Sequence, residues 1–252
     1  MVHRILIVTA VAAEADSVTA GLGPGGLDDA GLLPLPGGSV LRRHTGDSGR
    51  VRVDVLVGGV GPAAVAAATG TALACAALDD PGRAPYDLVV SAGIAGGFPT
   101  VAPLGSVVVS RSVVAADLGA QTPDGHLTVE ELGFGRSAHP VPEALAAAVA
   151  AALAAGGLPH TVGPVLTVST VTGTAARAAE LADRYPGAAA EAMEGFGVAE
   201  AAAAHGVPVV EIRAVSNAVG PRDRAAWRIG PALDALRRAV ELLSSTVFVE
   251  PS

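Results

Sequence analysis

Ile5-Leu6-Ile7-Val8-Thr9-Ala10-Val11-Ala12-Ala13-Glu14 holds an abrupt change of pattern. Its first half is an unbroken aliphatic and β-branched run with no polar face, which suits a strand buried on both sides of a parallel sheet. Its second half turns to small residues and then an acid, the composition of a helix start, where a carboxylate meets the positive end of the macrodipole. His3-Arg4 ahead of the run could also open a short signal peptide with a small-residue cleavage site. The β-branched core of the run and the acid that follows it favour the strand.

The same change of pattern recurs down the chain. Val/Ile/Leu runs predict strands near 4-10, 51-57, 87-92, 105-115, 162-169 and 207-215, and Ala-rich stretches predict helices over 12-20, 62-78, 141-155, 174-184, 192-205 and 229-246. Strands alternating with helices imply a mostly parallel sheet covered on both faces. Gly21 to Gly38 and Gly119 to Arg136 break the alternation; neither is long enough for a linker, so both are expected as surface excursions of a single domain, 1-252. No internal repeat of fixed period is present, which disfavours a solenoid or propeller. No stretch of about 18 strongly apolar residues is read, the Ala-rich run opened by Glu143 being short, so no membrane span is expected.

Composition removes several function classes. A net charge of -8 and the lack of an Arg-rich run or aromatic ladder argue against a nucleic-acid partner. All sixteen basic residues are arginine, which excludes Schiff-base lysines, pyridoxal phosphate attachment and the P-loop lysine. Cys75 is the sole cysteine, so no intramolecular disulfide can form, and a reducing cytoplasm is the expected setting. The six histidines are scattered without HExxH spacing, and neither a metal nor a cofactor is expected. The heavy Ala, Gly, Val and Arg usage reflects coding bias as much as function.

In open α/β sheets ligands bind beyond the carboxyl ends of the strands. Four such ends are unusual here: Ala10 to Glu14; Gly58-Gly59-Val60-Gly61; Ser91-Ala92-Gly93-Ile94-Ala95-Gly96-Gly97; and Arg213-Ala214-Val215-Ser216-Asn217. The glycines permit close backbone approach to a ribose or an anion, although a tight strand-to-helix turn would use them equally. A dinucleotide site would need GxGxxG after the first strand, and none is there. Glu14 and Glu194 each have a plain reading as helix charges. Their company is what marks them: Met193-Glu194-Gly195 opens a small-residue helix, and Asn217 ends an otherwise apolar strand.

With these motifs in this order, the chain resembles the nucleoside phosphorylase and nucleosidase superfamily and, within it, the futalosine hydrolases of an alternative menaquinone pathway. The resemblance spans most of the chain. It implies a three-layer α/β/α fold around a central, twisted, mostly parallel mixed sheet. It also implies hydrolysis of the N-ribosidic bond of futalosine to hypoxanthine and dehypoxanthine futalosine. In that scheme Glu14 is the water-activating acid, and Gly93, Ile94 and Ala95 belong to the nucleoside loop. Met193 and Glu194 bind the ribose, Asn217 meets the base with Ser216 and Arg213 in support, and Val171 and Thr172 line the base through backbone contacts. The family commonly forms homo-oligomers.

Two departures from better-known members carry information. Asn217 stands where adenosine-type nucleosidases place Asp; an amide can donate to a 6-oxo group while accepting from a protonated imidazole nitrogen, which favours hypoxanthine or guanine. Many phosphorylases of the superfamily use an arginine in the glycine-rich region, whereas Ser91 to Gly97 has none, so water is expected as the nucleophile unless Arg43, Arg52 or a neighbouring subunit supplies the charge. The family substrate ends in an aromatic carboxylate on its 5′ side. Arg222, Arg224 and Arg228, with Trp227, suit such a group, although an ordinary basic helix-entry loop has the same composition. A 6-oxopurine nucleoside phosphorylase and a non-catalytic purine-binding module remain as alternatives.

Overall fold

The computed structural model describes residues 3–46 and 49–249. In chain order its elements are β1 (His3–Thr9), α1 (Ala12–Leu22), β2 (Leu27–Pro34), β3 (Val40–Gly46), β4 (Val51–Val57), α2 (Pro62–Asp79), β5 (Leu88–Gly97), β6 (Val107–Ala115), β7 (Gly119–Thr122), β8 (Gly125–Thr128), β9 (Ala138–Pro140), α3 (Glu143–Ala155), β10 (His160–Thr167), α4 (Ala175–Arg184), β11 (Ala190–Ala192), α5 (Gly195–Ala204), β12 (Val209–Ala218) and α6 (Ile229–Ser244).

The opening run is a central strand. β1 pairs in parallel with β4 on one side and β5 on the other, and Ile5 to Val8 are fully buried. β12 continues this parallel ladder beyond β5, and the sheet runs in the order β11-β10-β6-β12-β5-β1-β4-β3-β2. β11 also pairs antiparallel with β5, so β5, β12, β6, β10 and β11 close into a ring. α1, α3 and α6 pack together on the sheet, as do α2 and α5 separately, which gives the expected three layers.

Where the elements differ from expectation, side-chain exposure explains it. Gly21 to Gly38 is not merely a surface excursion: β2 and β3 form an antiparallel hairpin that extends the sheet from β4. β2 buries little beyond Leu27, so its sequence lacks the alternation that betrays a strand. Gly119 to Arg136 holds a separate hairpin, β7 and β8. The stretch Ser91 to Gly97, expected to follow a strand, lies inside β5. Glycine weakens a strand unless neighbours need the space, and here they do, because a Cβ on Gly93 would stand 2.5 Å from both Glu14 Oε1 and Arg213 Nη1.

α2 corrects the expectation about apolar length. Its 18 residues have a mean hydropathy of 1.3, enough to cross a membrane by length and composition alone. In the fold it lies against α5 and β4, with Val65, Thr69, Ala72, Leu73 and Ala76 buried.

Candidate active site

A cavity of about 280 Å³ opens at the carboxyl ends of β1, β5, β11 and β12, where an open α/β sheet is expected to hold its ligand. Three acids line it: Glu14, Glu191 and Glu194.

Glu14 comes from the first turn of α1 and is buried. Its Oε2 accepts from the amides of Ala10 at 3.0 Å and Val11 at 3.3 Å, and Oε1 accepts from the Ile94 amide at 2.9 Å. The carboxylate is thus tied to the ends of two adjacent strands, while Oε1, which accepts from the Ile94 amide, retains an acceptor position. Glu194, immediately before α5, accepts from the Gly61 and Met193 amides, each at 3.3 Å. The glycine cluster after β4 therefore reaches the site through one amide, and the backbone there has the positive φ of 90° that favours glycine.

Arg213 joins these acids from below. Its Nη2 lies 3.3 Å from Glu194 Oε2 and donates to Ser91 Oγ at 3.2 Å, while Nε donates to Glu211 Oε1 at 2.8 Å. Although burial disfavours its charge, Glu211, Glu194 and Glu14 raise the guanidinium pKa above its ordinary value. Burial pushes the Glu211 carboxyl up, with Arg213 opposing.

Ser216 and Asn217 end β12 at the cavity wall. Ser216 Oγ lies 2.9 Å from Asn217 Oδ1 and 3.2 Å from the Ala95 carbonyl, and Asn217 Nδ2 donates to the Ala218 carbonyl at 3.0 Å. Val171 and Thr172 form part of the wall, but the Thr172 amide is engaged by Glu191 Oε1 at 2.8 Å and its hydroxyl by Glu191 Oε2 at 2.5 Å. Burial raises the Glu191 carboxyl pKa, while the two hydrogen bonds from Thr172 oppose the shift. At the outer end Arg222 and Trp227 line the cavity, with the guanidinium 5.3 Å from the indole.

Most of the residues read from sequence meet here: Glu14, Ile94, Ala95, Val171, Thr172, Met193, Glu194, Ser216, Asn217, Arg222 and Trp227 all line the cavity. Gly93, Arg213, Arg224 and Arg228 do not. Gly93 makes room for Glu14 and Arg213. Arg213 is buried behind the wall rather than facing a ligand. Arg224 lies 5.8 Å from the Trp227 ring without reaching the cavity, and Arg228 contributes its amide, which donates to the Ser216 carbonyl. Arg43 and Arg52, possible sources of anion-binding charge, instead pair with buried Asp54 away from the cavity. Among the described residues no cluster of three or more His, Cys, Asp or Glu is placed to hold a metal ion. Glu191 and Glu211 were missed; their only sequence signal is an acid inside a short apolar run.

Residues 4–247 match the model of the phosphorylase superfamily. The chain is 58% identical over 245 residues to a futalosine hydrolase of Streptomyces coelicolor, covering 96% of this chain and 95% of that one. It is 47% identical over 240 residues to a futalosine hydrolase of Acidothermus cellulolyticus, covering 95% and 90%. Among solved structures, a 5′-methylthioadenosine/S-adenosylhomocysteine nucleosidase of Helicobacter pylori superposes with a TM-score of 0.79 at 17% identity, over 96% of this chain and 97% of that one. The native futalosine hydrolase of Helicobacter pylori superposes with a TM-score of 0.77 at 19% identity, over 97% of both chains. At such identities the two structures speak for the fold alone, whereas the superfamily match and the two hydrolase relatives cover nearly the whole chain: it belongs to the phosphorylase superfamily and, within it, to the futalosine hydrolases.

Proposed function

We propose that the chain hydrolyses the N-ribosidic bond of futalosine, releasing hypoxanthine and dehypoxanthine futalosine in an alternative menaquinone pathway. The observation that carries this reading is the pair Glu14 and Glu194 at one cavity, backed by Arg213, which pairs with Glu194 and Glu211 and donates to Ser91. A phosphate nucleophile needs a cation beside the sugar. Arg222 is the one cationic side chain among the lining residues and sits at the Trp227 end. Water is therefore the nucleophile.

In this mechanism the C1′–N9 bond breaks first, through an oxocarbenium-like transition state, and its electron pair passes to the purine. Glu14 takes a proton from water as the hydroxyl adds to C1′. Glu194 accepts from the ribose hydroxyls and favours positive charge on the sugar, with Met193 against the apolar face. Asn217, held by Ser216, stabilises the base as its imidazole nitrogen takes a proton from solvent, and Glu14 returns its proton to solvent, so that one water is consumed. Arg222 and Trp227 receive the 5′ aromatic carboxylate through charge and ring contact. The protein works as a cytoplasmic homo-oligomer, a setting that suits the single free Cys75 and the small, largely uncovered outer face of α2.

Reaction in ¹⁸O-labelled water tests the nucleophile. The label is expected on the anomeric hydroxyl of the sugar product at the same rate with and without phosphate; a sugar 1-phosphate as the product would overturn the hydrolytic reading.

A further inference from the structure

Glu191 has no part in the mechanism above, yet it is a buried acid on the cavity wall. Its place in the sheet is specific. β11 pairs with β5 so that Glu191 stands opposite Gly96, and β12 pairs with β5 so that Asn217 also stands opposite Gly96. A carboxylate and an amide thus flank one glycine across three neighbouring strands, and directly opposed residues in a ladder face the same side. A Cβ on Gly96 would come within 3.2 Å of Asn217 Nδ2 and 3.1 Å of Val219. Those side chains cover the glycine, and Glu191 and Asn217 stand on either side of it on the wall of one cavity.

Thr172 holds the carboxylate by its amide and its hydroxyl, one to each oxygen. Each oxygen keeps a further acceptor position, and as a carboxylate the group has no proton to donate. A 6-oxopurine presents an N1–H donor beside its O6 acceptor, whereas a 6-aminopurine presents a bare N1 lone pair beside an amino group. A carboxylate set at N1 accepts from the first and meets only a lone pair in the second.

We infer that Glu191 accepts the purine N1–H and, together with Asn217, selects a 6-oxopurine over a 6-aminopurine. The inference rests on the nucleosidase reading above and adds to it a residue that chooses the base. Asn217 alone discriminates weakly, because an amide can turn over and present either its oxygen or its nitrogen. A carboxylate has no such freedom.

The test compares wild type with Glu191→Gln on futalosine and on its 6-amino counterpart, without phosphate, and measures inhibition by free hypoxanthine and free adenine. Wild type is expected to favour the 6-oxo substrate by about 10⁴-fold, as sites built around a buried hydrogen-bonding group do. Glu191→Gln, which can offer an N–H to adenine N1, is expected to cut that ratio at least tenfold, losing on the 6-oxo substrate and gaining on the 6-amino one. Its inhibition by hypoxanthine should weaken while that by adenine strengthens. If both substrates and both bases weaken together and the ratio stands, Glu191 merely pins the loop at Thr172 and the inference is overturned. Should Glu191→Gln fail to fold, Thr172→Val, which releases one carboxylate oxygen, is expected to lower the same ratio; an unchanged ratio there overturns the inference. A wild type that releases no base from either substrate would instead defeat the nucleosidase reading, and calorimetric binding of free hypoxanthine and free adenine to wild type and Glu191→Gln would still report on Glu191.

Discussion

Arg213 binds the acids of the site into one electrostatic unit. It lies within the field of Glu14, Glu194 and Glu211, and it is buried where the low local dielectric strengthens each interaction. Glu14 is held by three backbone amides besides, so its position does not depend on substrate. Glu14→Gln keeps the shape and most of these hydrogen bonds but takes away the carboxylate proposed as the base. It is expected to lower kcat by about 10² to 10⁴ with KM changed only a few-fold; steady-state kinetics beside calorimetric nucleoside binding would check this, and a wild-type kcat would remove Glu14 as the base. Glu14, Glu194 and Asn217 were legible because each is a polar residue next to a small or apolar run near a strand end. Arg213 was read as a support of the same strand end, and it lies behind the cavity wall rather than on it. Glu191 could not be read at all, because β11 is only three residues long and is defined by its partners.

At the scale of elements, the β2–β3 hairpin was invisible in the sequence, and a buried cluster helps tie it down. Arg43 on β3 donates to both oxygens of Asp54 on β4, at 2.8 and 3.0 Å, and the Tyr86 hydroxyl donates to Asp54 Oδ2 at 2.8 Å. Burial, then the Asp54 charge and hydrogen bond, raise the Tyr86 phenol far above its ordinary range. The unfolded chain ionises this tyrosine above about pH 10 while the folded chain keeps the proton, so its contribution to stability is present below that pH and is lost as pH rises further. Tyr86→Phe is expected to cost about 1–3 kcal/mol at neutral pH, through the donor withdrawn from Asp54, and to make the alkaline loss shallower. Urea unfolding at pH 8 and pH 11 measures both; equal alkaline losses in the two proteins would contradict the account. The glycine strand was misread for a related reason. Gly93 and Gly96 have low strand propensity, and what keeps them in β5 is the side chains of Glu14, Arg213 and Asn217 filling the space above them.

Across the whole molecule, the alternating pattern gave the layers and the parallel ladder from β12 through β5 and β1 to β4, because each of those strands is a long apolar run buried between helices. The closure through β11 was not readable, since it depends on contacts between residues nearly a hundred positions apart. That closure brings Glu191 and Asn217 to either side of Gly96, while β1 and β5 bring Glu14 to the same cavity. Glu14, Glu194, Glu191 and Asn217 therefore share one pocket, with Arg222 and Trp227 at its outer end. The most direct test is free-base release by the purified protein from futalosine, inosine and methylthioadenosine, each with and without phosphate. Rapid, phosphate-independent release of hypoxanthine from futalosine, with inosine and methylthioadenosine far slower, is the expected result; cleavage of inosine that requires phosphate and yields ribose 1-phosphate would contradict it.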